Sequence, residues 1–225
     1  MTDTLTESAE SLQPATPEKQ SRRAKNQPAR SSVMPVLEQL AAFYPQLFGA
    51  VFLPLKRGIF QDLLAAHPEA FEREALKAAL SMHTRSTRYL SAVAAGQQRH
   101  DLQGQPVEAM APEHVHHALL EVFRRRQART ADDLRPKLRE RIVQVLMASG
   151  LSPLAYAELV RSRDEVANAV LDEALADAQA LAAKDEALLR AFEASAQTVE
   201  VFADMYGMDP RLVTRMLERA RAVAA

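Results

Sequence analysis

Positively charged side chains recur on one predicted helix face between residues 73 and 88, and no carboxylate shares that face. Cations held on a rigid helix bind phosphate, so the pattern indicates a site for a phosphate-bearing ligand. Arg99 follows a predicted helix end at Gly96, and a tight turn is expected to project it beside the helix. A solvated helix face produces the same pattern and is the alternative explanation. The residues of the face are Arg73, Lys77, Ser81, Thr84, Arg85 and Arg88.

The element that must position these side chains is a helix predicted from Glu69 to Val93. Its apolar residues repeat at helical spacing, which marks the side turned toward a core. After Gly96, residues 101–104 predict a short strand and tight turn, and Pro106 and Val107 predict the return arm of a small hairpin. The apolar stripe consists of Leu76, Ala79, Leu80, His83, Thr87 and Leu90.

Lys56 and Arg57 lie near the start of another predicted helix, where cations oppose the helix dipole. An anion held between these side chains and the free backbone N–H groups would explain their placement. An exposed pair with no function is the alternative. A second basic cluster, residues 124–129, ends a helix predicted from Ala111 to Arg129, where the dipole alone favours cations.

Composition favours a helical protein, because aromatic residues make up 5% of the chain and only six glycines are present. The net charge of −1 hides an uneven distribution. Residues 1–34 carry a net charge of +1, residues 35–130 carry +2, and residues 131–225 carry −4. A nucleic-acid partner is therefore compatible with the first two parts of the chain.

Several classes of protein are excluded or disfavoured by the residues present. The absence of cysteine excludes disulfides, thiolate zinc sites and cysteine nucleophiles. His114 and His117 could chelate a metal, but no carboxylate at ligand spacing completes a site. No nucleophile-elbow or phosphate-loop motif occurs, so we expect no enzyme activity, cofactor or metal. No apolar run reaches the roughly 18 residues of a membrane helix, and the polar N-terminus lacks a secretory signal, so we expect a cytoplasmic protein.

Three parts of the chain are predicted from these patterns. Residues 1–33 lack bulky apolar groups and are predicted to be a disordered basic arm. Residues 34–130 are predicted to fold as a basic domain, and residues 131–225 as a helical accessory module whose role the pattern leaves open. Within that module, the sequence from Val199 to Arg221 predicts two short helices. They pack either as a helix-turn-helix or as an ordinary helical corner.

Seven short motifs between residues 45 and 114 occur in one order and at close spacing. Together they resemble the ProQ/FinO family of bacterial RNA chaperones, over roughly residues 35–128. The motifs are Pro45-x-Leu47-Phe48, Pro54-Leu55-Lys56-x-Gly58-Ile59, Asp62-Leu63, Leu76-x-x-Ala79-Leu80, Thr84-x-Ser86-x-x-Tyr89-Leu90, Gly96-x-x-Arg99-x-Asp101-Leu102-x-Gly104 and His114.

The resemblance implies a mainly α fold, a compact helical domain with a small β-hairpin and a concave basic face. It implies that this face binds the base of a terminator stem and the 3′ tail of small RNAs and mRNAs, in post-transcriptional regulation. The family's RNA-contacting positions correspond here to Lys56, Arg73, Lys77, Arg88, Tyr89 and Arg99. Arg57 and Arg85 join this set because of their positions in the charge pattern, which gives eight predicted RNA-binding residues.

The chain departs from the resemblance at two positions. Ser81 stands where some relatives have a basic residue, which should thin the positive face. His83 stands where a tyrosine is common, which puts a packing or hydroxyl contact in doubt. Structured RNA is the predicted partner, bound by a monomer without a membrane, and residues 131–225 have a possible protein partner. Two alternatives remain at this point. One is a protein-interaction adaptor that acts through the C-terminal helices, and the other is a DNA-binding regulator that uses the terminal helical pair.

Overall fold

The computed structural model describes residues 30–224, and these residues are mostly helical, with one small sheet. The mainly α fold with a β-hairpin is therefore confirmed. The helices are α1 (Arg30–Phe43), α2 (Pro45–Phe48), α3 (Ile59–Ala66), α4 (Arg73–Thr84), α5 (Thr87–Ala94), α6 (Pro112–Gln127), α7 (Arg135–Ser149), α8 (Pro153–Val160), α9 (Glu165–Ser195), α10 (Val199–Met205) and α11 (Pro210–Ala224). The strands are β1 (Arg99–His100) and β2 (Pro106–Glu108).

The basic face was expected on one continuous helix from Glu69 to Val93, and this expectation is wrong. The chain forms α4 and α5 with a break between them, because Ser86 caps the second helix. The Ser86 hydroxyl oxygen accepts a hydrogen bond from the Tyr89 backbone N–H at 3.2 Å. Ser, Thr and Asp side chains compete with the backbone in this way and start new helices. The predicted face is therefore divided between two helices.

A similar cap starts α9, the longest of the described helices. Asp164 accepts hydrogen bonds from the backbone N–H groups of Val166 and Ala167, both at 3.1 Å, and α9 begins there. The predicted disordered arm, residues 1–33, lies outside the described residues except for residues 30–33, which begin α1.

The hairpin follows the predicted helix end at Gly96, whose φ of +73° places it in the left-handed region. The two strands pair antiparallel, with Arg99 opposite Glu108. Their turn is fixed by the Asp101 carboxylate, which accepts hydrogen bonds from the backbone N–H groups of Gln103 at 3.0 Å and Gln105 at 2.9 Å. His100 also forms a parallel bridge with Leu55, which joins the hairpin to the chain before α3.

The main hydrophobic core extends past the predicted boundary at residue 130. It begins with Val33 and Leu40 of α1, and it continues to Ile142 of α7, Tyr156 of α8 and Leu171 of α9. A second, smaller core joins the end of α9 to α10 and α11. The division into units at residue 130 stays a prediction. The second core consists of Phe202, Ala203, Val213 and Leu217, with Leu188, Leu189, Ala191, Phe192, Val199 and Met208 packed against it.

Among residues 30–224, no single helix is both long and apolar enough to cross a membrane. The helices α7 and α8 are long and apolar enough only when taken together, and the bend between them is 112°.

Candidate nucleic-acid interface

Residues 50–60, here called the connector, bring together six of the eight predicted RNA-binding residues. Lys56 and Arg57 belong to it. The Arg88 guanidinium of α5 lies 4.5 Å from the centre of the Phe52 ring and donates a hydrogen bond to the Ala50 carbonyl. At the other end, the Arg73 guanidinium of α4 lies 5.5 Å from the centre of the Phe60 ring. Tyr89 and Arg99 contact the connector at Leu55.

The peptide groups of Leu55 are where the hairpin and α5 meet the connector. The Leu55 backbone N–H donates a hydrogen bond to the Tyr89 hydroxyl oxygen at 3.1 Å. The Leu55 carbonyl accepts one from the Arg99 guanidinium at 3.0 Å. These contacts join residues that lie 34 and 44 positions apart in sequence. Tyr89 and Arg99 therefore fix the course of the connector.

The tight turn was expected to project Arg99 beside the helix. The structure instead buries most of this side chain. Only 14% of its side chain is exposed, and its guanidinium also lies 3.3 Å from Nδ1 of His114. Tyr89 is buried as well, and that burial raises the pKa of its hydroxyl. Both residues hold the local structure, and neither is a freely exposed contact for a ligand.

The exposed cations of the connector are paired with carboxylates from other elements. Lys56 Nζ lies 2.7 Å from the Asp62 carboxylate, and the hydrogen bond with Asp62 raises the pKa of Lys56. Arg57 Nε lies 3.8 Å from a Glu108 carboxylate oxygen, and Arg99 Nε lies 3.4 Å from the other oxygen. Asp62 and Glu108 do not belong to the helix face identified from the sequence. The absence of carboxylates on that face therefore did not indicate that these ion pairs would form.

Neither Lys77 nor Arg85 forms a hydrogen bond or an ion pair with the connector. Lys77 lies on α4 with its ammonium 4.0 Å from Glu74. Arg85 ends that helix, and its Nε donates a hydrogen bond to the Ser81 carbonyl at 2.9 Å. Arg125 of α6 donates hydrogen bonds to the Arg85 carbonyl at 2.9 Å and to the Thr87 hydroxyl at 3.1 Å. This contact could not be predicted from the sequence, because the helix dipole alone accounted for the basic cluster that contains Arg125.

The ProQ/FINO family model matches residues 30–135, which include all of these side chains. The chain belongs to the ProQ/FinO family. A solved structure of a FinO-like RNA chaperone from Neisseria meningitidis MC58 is 31% identical to it. That match covers 39% of this chain and 90% of the other chain, with a TM-score of 0.36. Family membership supports RNA binding at the level of the family.

His83, one of the two departures from the family resemblance, packs as an aromatic residue. Its ring centre lies 4.7 Å from that of Phe48, 4.4 Å from that of Phe52 and 5.3 Å from that of Tyr89. Burial lowers the pKa of His83 to about 4, so the imidazole is neutral at pH 7. The aromatic contact that was in doubt is therefore made here by a neutral histidine. Ser81, the other departure, accepts hydrogen bonds from Arg85.

The terminal helical pair lies outside the residues that the family matches. The helices α10 and α11 form as the sequence indicates, and Ala203 is fully buried where they pack together. Arg211 and Arg215 are exposed on α11. Among residues 30–224, no three His, Asp or Glu side chains are close enough to hold a metal ion.

Proposed function

We propose that this chain is an RNA chaperone that binds the base of a terminator stem and its 3′ tail. It acts in post-transcriptional regulation by small RNAs and mRNA 3′ ends, as a monomer in the bacterial cytoplasm. Membership of the ProQ/FinO family supports RNA binding, and the arrangement of the connector supports the position of the site.

The observation that carries the proposal is the convergence of Lys56, Arg57, Arg73, Arg88, Tyr89 and Arg99 on residues 50–60. Double-stranded RNA has a deep, narrow major groove that side chains read poorly, so phosphate contacts and shape dominate its recognition. Cations from three separate elements, held around one segment, suit that kind of recognition.

The contacts divide the eight predicted RNA-binding residues into two roles. Arg73, Lys77, Arg85 and Arg88 are exposed on α4, on α5 and at the break between them, and they contact RNA phosphates. Tyr89 and Arg99 act mainly by holding Leu55, and they place Lys56 and Arg57 beside the RNA. Exposed ion pairs such as Lys56–Asp62 are worth little, so RNA phosphates can replace the carboxylates without a large loss of stability.

The test is RNA binding by the full chain, measured by fluorescence anisotropy on a terminator hairpin with a 3′ uridine tail. If about five or six phosphates are neutralised, the logarithm of the binding constant falls with the logarithm of salt at a slope of about −4 to −5. Arg88→Ala should weaken binding by about 1 kcal/mol, because one charge-assisted contact is lost. A hairpin without the tail should bind more weakly than the tailed RNA.

Arg190→Ala is the matched control for the Arg88 variant. Arg190 is an exposed arginine of α9 that pairs with Glu186, and its removal changes the net charge by the same amount. It should leave RNA affinity unchanged. A salt slope near zero, or equal losses in the two arginine variants, would refute the proposed site.

A protein-interaction adaptor is the second candidate function, favoured by apolar side chains that are exposed in the C-terminal helices. Leu154 of α8 is 72% exposed and Val166 of α9 is 70% exposed. A full chain that binds neither the tailed hairpin nor duplex DNA would favour this adaptor. Binding to duplex DNA that is lost in Arg211→Ala would instead favour a DNA-binding regulator that uses α11.

A further inference from the structure

Glu108, the last residue of β2, places a carboxylate among the proposed RNA-binding cations. One of its oxygens accepts a hydrogen bond from the Arg57 backbone N–H at 3.3 Å. The same oxygen lies 3.4 Å from Arg99 Nε, and the other lies 3.8 Å from Arg57 Nε. Glu108 also contributes to the electrostatic environment of Lys56.

The backbone N–H and the guanidinium of Arg57, both partners of this carboxylate, are groups that an RNA phosphate would use. A phosphate oxygen accepts hydrogen bonds from backbone N–H groups and forms ion pairs with guanidinium groups. Glu108 already occupies these partners with an anion of its own, and about a third of its side chain is exposed. A phosphate that approaches Arg57 must therefore either displace the carboxylate or lie beside a like charge.

We propose that Glu108 is an internal competitor for the RNA phosphate and that it limits the affinity of the site. In the free chain it holds Arg57 in place. When RNA binds, the carboxylate gives up at least one of these contacts to a phosphate, which weakens the complex and speeds its release. Differences in affinity between related complexes arise mostly in the dissociation rate, so this competition favours turnover of bound RNA.

This inference rests on the proposed function, and Glu108→Gln tests it. Glutamine keeps the shape of the side chain and a carbonyl oxygen for the Arg57 N–H, but it removes the charge. Two unit charges about 4 Å apart interact by about 1 kcal/mol even in bulk water, so affinity for the tailed hairpin should rise about 3- to 10-fold at low salt. The gain should shrink as salt is added, and the salt slope should steepen by about one because a further phosphate is neutralised.

Two further variants distinguish an effect of the charge at position 108 from a general effect of removing one negative charge. Glu186→Gln removes the same charge from an exposed Glu–Arg pair on α9, and it should leave affinity unchanged. Glu108→Asp keeps the negative charge on β2, and it should bind within about twofold of the wild type, since the competing anion remains. Thermal melts of each variant establish that the fold is retained.

A double-mutant comparison gives a second measurement that does not depend on the absolute affinity of one variant. In an Arg57→Ala background, Glu108→Gln should give a smaller gain, because one of the cations that the carboxylate occupies is gone. Unchanged or weaker binding by Glu108→Gln, or an equal gain in Glu186→Gln, overturns the inference while leaving the proposed function intact. A wild-type chain that fails to bind the tailed hairpin overturns both.

Discussion

Arginines in two regions of the molecule are paired in different ways. Around the connector, Arg57 is exposed and contacts Glu108 at the edge of the hairpin. Between α9 and α11, Arg219 forms two hydrogen bonds with Asp185, at 2.7 and 2.9 Å, and only 2% of the Asp185 side chain is exposed. Buried bidentate pairs hold helices together, whereas exposed pairs contribute little and leave the cation available to a ligand. The first arrangement suits binding, and the second suits stability.

The largest expected effect comes from breaking the buried pair. Asp185→Ala removes both hydrogen bonds to Arg219 and should lower the free energy of unfolding by about 3 kcal/mol. Urea denaturation followed by circular dichroism measures this loss, and RNA affinity should not change. Asp172→Ala is the matched control, because Asp172 pairs with Arg161 on the exposed surface and should cost less than about 0.5 kcal/mol. Similar losses in both variants would contradict the comparison.

The second prediction concerns the two buried histidines, whose effect on stability should depend on pH. Burial lowers the pKa of both His83 and His116 to about 4, from the usual value of 6.5. Between these values the unfolded chain binds more protons, so stability falls as the pH is lowered below 6.5 and is independent of these groups above it. The loss should approach 1.4 kcal/mol per pH unit for each histidine, roughly the value of a one-unit pKa shift.

Chemical denaturation at pH 7.5, 6.5 and 5.5 measures this dependence. His83→Phe should reduce the slope between pH 6.5 and 5.5, because phenylalanine does not titrate and suits the contacts with Phe48 and Phe52. His116 should account for the remaining slope, since it forms the buried hydrogen bond to the Tyr156 hydroxyl at 2.9 Å. Equal stability at all three values would show that burial does not lower the pKa of these histidines below its value in the unfolded chain.

The third prediction concerns Arg99→Ala, for which the expected loss of stability is smaller than for Asp185→Ala. Arg99 is a cation of the RNA site whose contacts resemble those of the buried pair, because its guanidinium holds the Leu55 carbonyl. We expect a loss of about 1 kcal/mol in stability together with weaker RNA binding. Arg88→Ala should weaken RNA binding with less change in stability, since Arg88 is exposed. Loss of RNA affinity in Arg99→Ala with unchanged stability would place Arg99 among the direct contacts instead.

Local sequence signals account for much of the helical fold. Pro112 starts α6, Ser152 caps α8 and Gly150 ends α7, and each of these residues acts within its own turn. The break at Ser86 was missed because the apolar periodicity continues through it, with Thr87 and Leu90 in phase with the preceding helix. A capping hydroxyl cannot be recognised from the apolar periodicity when that periodicity continues past it.

Five of the six residues predicted from the family resemblance lie in or around the connector, but the contacts that each one makes were not predictable. Arg88 and Arg99 are the same residue type in adjacent motifs, yet one is exposed and the other is largely buried. Arg88 contacts the Ala50 carbonyl and Arg99 contacts the Leu55 carbonyl, and each partner is distant in sequence from its arginine. Glu108 and Arg125 were missed for the same reason, because their contacts with Arg57 and Arg85 form only after the chain has folded.

The two hydrogen bonds at Leu55 have a practical consequence for spectroscopy. Its amide proton is bound to the Tyr89 hydroxyl and its carbonyl to Arg99, and the residue is buried. Hydrogen exchange at this position requires local opening of the structure, so the Leu55 amide should exchange slowly in the free chain. One resonance in an amide correlation spectrum thus reports on α5 and on the hairpin together, and following it through an RNA titration would show whether both move when the ligand arrives.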